Sequence, residues 1–496
     1  VQAVILLICP VAMMHEITLV LLCVALMTPV SSAQDTVPGP QAYAPVVAAP
    51  LRGLSDDADA LVDTDFTPSE IEAEIPVEEA VEEISEGPVE FVPAPTEVQP
   101  PTDIVYLPSP PVEVRSGWLR LNTPFSYQLL DFQNRQTDKE LLILENRSRF
   151  PSRATQVTVG AQSRLSFLAA GTNRTNKFPY LGRFPTDFTG DSATDARLLQ
   201  ANMHVTAAVT SWATVYGELL FSDVFTFGSF DQGSLQARQV FAVFGDLSRC
   251  PFYAYIGKKN VGFGDLQTLN PFTQSVVWHY FAALAEGIGV GYHGNSLDMS
   301  VAAINGGRGI RVADSVARGK LNNFAANLAY TFGEHPDYRL RVGGGVLYGT
   351  IYDGFTAEHL DKNQFGSSYN TAWDVNARLD LGRWILGGEY ISTVDPWPVT
   401  NEQVSAYRTE IAYQLATRKP SQFSVGWSEG IQGPSGSEFE FNRQLVLGFG
   451  VRLHRNAFGS IEYVRSTGFA PLINITTVSD RSVAQNSLVM GLNLFF

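Results

Sequence analysis

The stretch AWDVNARLDL, residues 372–381, alternates without a break. Trp373, Val375, Ala377, Leu379 and Leu381 fall on one side; Asp374, Asn376, Arg378 and Asp380 fall on the other. A period of two places successive side chains on opposite faces of a strand, so this strand must meet two different neighbours. The pattern recurs. TQVTVGAQSRLSFL (155–168) sets Val157, Val159, Ala161, Leu165 and Phe167 against Thr158, Gly160, Gln162, Arg164 and Ser166. NNFAANLAYTF (322–332) sets Phe324, Ala326, Leu328, Tyr330 and Phe332 against Asn323, Ala325, Asn327, Ala329 and Thr331. About sixteen such segments start near residues 155, 197, 212, 236, 251, 285, 297, 321, 338, 371, 384, 404, 421, 443, 457 and 486. Most run roughly 9–13 residues, the length that crosses a bilayer when tilted.

The connections alternate in length. Short ones lie at 293–296, 333–337, 382–383, 416–420 and 454–456. Long ones span 169–196, 222–235, 259–284, 306–320, 350–370, 393–403, 430–442 and 467–485. Tight turns on one side and long loops on the other mark an up-and-down antiparallel barrel of the outer-membrane type. A soluble all-β sandwich also alternates, but with a charged outer face. Here the polar face is small, amide-bearing and sparsely charged. The apolar face carries Tyr330, Tyr338, Tyr348, Trp373, Trp384, Tyr390, Tyr407, Tyr413 and Tyr463 near strand ends, as an interfacial girdle would. The expected fold is therefore all-β: a transmembrane antiparallel up-and-down β-barrel of about 16 strands, over residues 151–496, preceded by a disordered arm. An even strand count puts both barrel ends on the periplasmic side.

Composition supports this. Charged residues are 17% of the chain, below the roughly 25% of a soluble domain. The net charge of −16 is not uniform. Residues 1–114 hold one basic residue, Arg52, against 19 acidic ones, whereas the rest holds 33 basic against 31 acidic. No basic stripe suggests nucleic acid as a partner. The stretch Ile17–Ala33 has the apolar core and small residues of a signal peptide (1–33), with cleavage before Gln34. Residues 34–115 follow as a disordered, acidic periplasmic arm. It holds 14 of the 28 prolines over residues 34–114 and too little apolar surface to offset ordering entropy. A periplasmic partner for this arm is an open expectation. The pre-barrel segment 116–150 has helical composition over Tyr127–Arg147.

Cys9 and Cys23 fall in the leader, which leaves Cys250 as a structural residue with no disulfide partner. There is no nucleophile elbow and no metal-ligand cluster, so no enzyme, cofactor or metal is expected. DKNQFG (361–366) lacks the final glutamate of a calcium loop, since its twelfth position is Ala372.

The face assignment turns Arg164, Arg339, Arg341, Arg378, Arg408 and Arg452 inward, with Glu218, Asp298, Asp374, Asp380, Glu389, Glu410 and Glu462. Arg378 with Asp374 and Asp380, and Arg408 with Glu410, suit ion pairs that stiffen the wall. Arg339 and Arg341, together near the periplasmic end, suit an anion-attracting patch. The third long loop holds Phe263, Phe272, Trp278, His279, Tyr280 and Phe281 with almost no charge. So apolar a loop is a liability if exposed. It is expected to fold into the lumen and narrow the pore, or to pack across the barrel mouth or against a neighbouring subunit. The last ten residues, SLVMGLNLFF, read as the strand that closes the barrel, and the terminal Phe496 resembles the signal read by the barrel assembly machinery.

The segment PFYAYIGKKNVGFGDLQT (251–268) resembles the LbtU-family siderophore porins, through Gly257, Lys258, Phe263 and Gly264. VFAVFGDL (240–247) and LNTPFSYQLLDFQNRQ (121–136) are similar to that family's first barrel strands and pre-barrel segment. The resemblance implies a sixteen-stranded outer-membrane porin in ferric siderophore uptake. The alternative is a general or anion-selective porin for small solutes. The Pro-rich acidic arm and Gly262, where other porins carry proline, depart from the family pattern.

Overall fold

The computed structural model describes residues 114–116, 118–149, 156–175, 190–222, 234–306, 320–335, 338–353, 369–398, 400–435, 442–468 and 482–496. The signal peptide, nearly all of the acidic arm, DKNQFG and half of the first long loop lie outside them. A short hairpin, β1 (Val114–Ser116) and β2 (Leu119–Leu121), leads into helices α1 (Thr123–Leu130) and α2 (Lys139–Arg149). Sixteen strands follow: β3 (Gln156–Thr172), β4 (Ser192–Ala208), β5 (Ala213–Ser222), β6 (Ser234–Gly245), β7 (Phe252–Asn260), β8 (Leu284–His293), β9 (Leu297–Asn305), β10 (Leu321–His335), β11 (Tyr338–Leu347), β12 (Ala372–Leu381), β13 (Trp384–Trp397), β14 (Glu402–Leu415), β15 (Ser421–Ile431), β16 (Asn442–His454), β17 (Ala457–Gly468) and β18 (Ala484–Phe495). A one-and-a-half-turn helix, α3 (Val276–Phe281), sits in the connection between β7 and β8. Every strand expected from alternation is present, each starting within a few residues of its expected place.

Each barrel strand pairs antiparallel with its sequence neighbour, and β18 pairs antiparallel with β3 to close the ring. Ala161 and Phe496 exchange backbone hydrogen bonds at the seam. Below that point the same edge of β3 is taken by β2, which runs parallel to it from Leu119 opposite Val157 to Leu121 opposite Val159. No edge is left open there, which matters in hydrocarbon, where an unpaired backbone group has no water to turn to.

The barrel is inside out relative to a soluble protein. Along β15, Phe423 is 52% and Val425 44% exposed, while Ser424 and Ser428 between and beyond them are 4% exposed. Leu328, Trp373, Val375, Leu447 and Ile461 are likewise exposed on the outside. Alternation alone suggests a water-filled lumen behind this wall. The structure differs: much of the inner face is buried, because chain fills the interior.

Part of the filling is the segment before the barrel. The expected single helix over 127–147 is two helices with a break at 131–138. Asn122 caps α1, accepting from Phe125 N–H at 3.2 Å, with Pro124 in the first turn. The break follows from Asp131, whose carboxylate accepts from Gln133 N–H (2.9 Å) and Asn134 Nδ2 (2.7 Å) and so competes with the helical ladder. Arg135 then takes a positive φ of 47° before α2 begins.

Candidate functional site: the filled lumen

The pre-barrel segment lines the inside of the β3–β7 wall. Leu129, Leu141, Leu142, Ile143 and Leu144 are buried against inward-facing Tyr216, Leu220, Phe241, Val243, Tyr253 and Tyr255. Burial of each such side chain favours docking by about 1.5–3 kcal/mol. Two ion pairs are sealed into the same interface: Lys139 Nζ to Glu218 at 2.8 Å and Lys259 Nζ to Glu140 at 2.7 Å. Glu218 also accepts from Asn202 Nδ2 (2.7 Å), Gln239 Nε2 (3.0 Å) and the Tyr216 hydroxyl (3.0 Å), so its lone pairs are answered. Burial pushes the Glu140 carboxyl up and the Lys139 ammonium down, with Glu218 opposing the latter shift. His204 Nε2 meets Ser126 Oγ at 2.9 Å, and Arg147 donates to Thr214 Oγ1 at 2.7 Å. This segment is part of the packed interior.

The third long loop lines the opposite side. Three inward carboxylates receive its backbone. Glu389 accepts from the N–H groups of Asp265 (2.7 Å) and Leu266 (3.0 Å), and Glu410 from that of Leu269 (2.8 Å). Glu462 accepts from those of Phe272 (2.8 Å) and Thr273 (3.0 Å). Arg164 donates to the Phe272 carbonyl at 3.0 Å and stacks its guanidinium on the Phe272 ring, 4.5 Å from the centroid. Arg408 ties the system together, reaching Asp265 (2.7 Å), Glu389 (2.9 Å) and Glu410 (2.9 Å). Its expected partner Glu410 is thus one of three. The inner wall is thinned to receive the loop. A Cβ on Gly491 would stand 2.3 Å from the Phe272 ring, and one on Gly448 would stand 2.6 Å from Pro271.

Three of the Gly-Lys…Phe-Gly residues serve the loop's entry, and Lys258 does not. Gly257 has a φ of +133°, and a Cβ there would stand 2.4 Å from the Val240 carbonyl oxygen. Gly264, at φ +69°, turns the chain so that the next two N–H groups meet Glu389. Phe263 is buried. Lys258 lies on the outer side of β7 and donates to the Ala237 carbonyl at 3.0 Å, whereas Lys259 points in. Trp278, Tyr280 and Phe281 are all buried, and His279 is half-buried. Trp278 Nε1 donates to Gln136 of the pre-barrel segment at 3.2 Å, and the Tyr280 carbonyl accepts from the Tyr352 hydroxyl at 3.1 Å. The loop therefore touches both the wall and the N-terminal segment.

The sector from β9 to β12 is less covered. Asp298, Ser300, Asn327, Arg339, Arg341, Asn376 and Arg378 are half-buried there. Arg341 stands directly opposite Arg378 in the β11–β12 register, and Arg339 opposite Asp380. Like charges in directly opposed positions cost stability. Arg378 bonds Asp380 at 3.1 Å, while Asp374 is buried and accepts from Asn376 at 2.7 Å. Arg341 is held loosely, 3.6 Å from Asp298 and 4.0 Å from Asp265. Arg452 lies apart, beside the turn after β16, where it donates to the Arg455 carbonyl.

Sequence reasoning missed Lys139, Glu140 and Lys259, because charges in a polar helix and beside a strand end read as solvated. The available signal was the inward aromatic and aliphatic run Tyr216, Leu220, Phe241, Val243, Tyr253 and Tyr255. Such residues do not face water by choice.

No protein-family model and no curated protein matches the chain. The siderophore-porin resemblance therefore rests only on the residues that suggested it. Solved structures similar to this one include the anion-selective porin from Comamonas acidovorans (12% identity, covering 69% of this chain and 99% of that one, TM-score 0.47). The outer-membrane channel DcaP of Acinetobacter baumannii gives 12% identity, 68% and 97% coverage and a TM-score of 0.45. Pseudomonas putida OprB gives 12%, 68% and 94%, and 0.43.

Proposed function

We propose that this chain is an outer-membrane diffusion channel whose lumen is narrowed by two of its own segments, and that it passes small hydrophilic solutes. The observation that supports this most is the inverted barrel: a belt of exposed large apolar side chains outside, and polar and charged side chains turned inside. We read it as a channel rather than an enzyme, inserted from the periplasmic side after removal of a signal peptide, with the acidic arm left in the periplasm. The passage follows the half-buried β9–β12 sector. Arg339, Arg341 and Arg378 on that wall favour solutes with an anionic group.

Ferric siderophore uptake is the finer alternative. Of the residues behind it, Gly257, Phe263 and Gly264 are accounted for by how the loop enters the lumen, Lys258 lies on the outer side of β7, and a bulky ferric complex would have to displace that loop. Planar-bilayer recording with and without a ferric carboxylate siderophore separates the readings. A small ohmic conductance indifferent to the siderophore supports the diffusion channel. Siderophore-dependent block supports the alternative, and a bilayer that stays sealed overturns both.

A further inference from the structure

The outer wall carries two arginines at the long-loop ends of β16 and β17. Along β17, Arg465 is exposed on the side of Ile461 and Tyr463, while Glu462, Val464 and Ser466 are buried on the other. Arg465 makes no hydrogen bond or ion pair among the described residues. Its ladder partners are Leu445 and Asn486, and Arg443 stands diagonal to it, opposite Thr467. The Arg443 side chain is 46% exposed, with Nε 2.8 Å from Glu429. Glu429 also accepts from the Tyr407 hydroxyl at 2.9 Å, so it is answered without Arg465. Asn486 accepts from the Tyr463 hydroxyl at 2.7 Å, and its Nδ2 donates to nothing among the described residues. Farther along the rim, Arg174 and Asp191 are exposed and carry opposite charges. The long-loop end of such a barrel is extracellular. Arg465 stands two residues, about 7 Å, beyond Tyr463 of the aromatic girdle, and so at headgroup depth.

Deeper along the same wall, a cleft of about 530 Å³ opens on β18, β3 and β4, within the roughly 300–1,000 Å³ of ligand clefts. Leu165, Phe167, Ala196, Leu198, Met490 and Leu492 form its sides, and the strands at Ser166, Arg197 and Gly491 its floor. Those three take the inward register, with Ser166 opposite both Gly491 and Arg197, and Arg197 is paired with Asp195 at 2.8 Å. The hollow has a local cause. Gln200 faces Arg164 while Leu198 faces Leu165, so Leu199 is an extra residue, and a bulge of this kind bends its strand. Met490 lies four residues, about 13 Å, from Asn486 toward the bilayer centre, close to the about 15 Å of one leaflet's hydrocarbon. A cationic rim and an apolar cleft are therefore spaced as the head and tail of one lipid. We infer that this seam binds a phosphorylated lipid of the outer leaflet, with its phosphate on Arg465, Arg443 and Asn486 and an acyl chain in the cleft. A guanidinium offers phosphate two parallel N–H bonds, and a lipid without phosphate would leave Arg465 unanswered. The inference needs only the membrane-inserted barrel and stands whether or not the lumen conducts.

The test titrates the full chain, folded in a neutral detergent, with lipid A, a glucosamine disaccharide that carries phosphates and acyl chains, and counts retained lipid by native mass spectrometry. One lipid per chain should be retained. Its dephosphorylated form should bind about tenfold more weakly, the worth of one charge-assisted contact. Arg465→Gln should cause a similar loss, and Ala196→Trp, which fills the cleft, should weaken binding with the rim intact. Both sites are exposed, and heat-modifiable migration on gels verifies the barrel in each variant. Inorganic phosphate at matching concentration should not displace the lipid. Equal retention of the dephosphorylated form, retention unchanged in both variants, or displacement by phosphate alone would overturn the inference. So would self-association of the chain that both substitutions abolish, since the face would then belong to a second copy. None of these outcomes bears on conductance, so the channel reading is tested separately.

Discussion

Lys139 Nζ lies 2.8 Å from Glu218 Oε2, with both side chains almost sealed from solvent. One partner comes from a helix that precedes the barrel and the other from the middle of β5. The contact shows how a segment outside the sheet becomes part of the interior. Breaking one side of a buried pair leaves an uncompensated charge, at a cost of about 3–5 kcal/mol.

Glu218→Ala should therefore loosen the N-terminal segment without opening the barrel. Limited proteolysis with trypsin in detergent reads this out. The wild-type chain should resist cleavage at Lys139 and Arg147, and the variant should be cut there while the barrel fragment stays intact. Equal resistance in both proteins would count against a docked segment held by this pair.

Gly491→Val tests the loop's seat. The added atoms fall on the Phe272 ring, and overpacking of this kind costs about 1–3 kcal/mol. A Cβ there also meets the Ser460 hydroxyl of β17 at 2.5 Å, but that hydroxyl can rotate aside whereas the Phe272 ring cannot, so the loop should give way first. Raised single-channel conductance with normal heat-modifiable migration on gels is the expected result.

Val425→Arg tests which side meets lipid. Val425 is exposed at the middle of β15, and a charge at the bilayer midplane of a barrel costs about 2–4 kcal/mol. Unfolding titrations in lipid vesicles should show that loss. An unchanged midpoint would mean that this face does not meet hydrocarbon.

The strands were legible because alternation is a local property: each residue declares its face regardless of what covers it. AWDVNARLDL became β12 over its whole length. What covers the polar face was not legible in the same way. A polar inward residue suits water and a backbone partner equally well, so Glu389, Glu410 and Glu462 read as lumen charges although they hold the loop's N–H groups. The loop's own apolarity did point inward, through Phe272, Trp278 and Phe281. The N-terminal segment gave a weaker signal, because Asp131 breaks its helix and its buried charges resemble solvated ones. Its complement was written into the wall, at Tyr216, Phe241 and Tyr253, where apolar residues occupy the inward register.

The most direct test of the narrowed channel is single-channel conductance of the wild-type chain against a variant lacking Pro271–Phe281. The deletion removes α3 and the Phe272 anchor but leaves the strand pairings intact. A several-fold rise in conductance is the predicted result. An intact, inserted barrel with wild-type conductance would contradict the account, because the loop could not then be narrowing the passage.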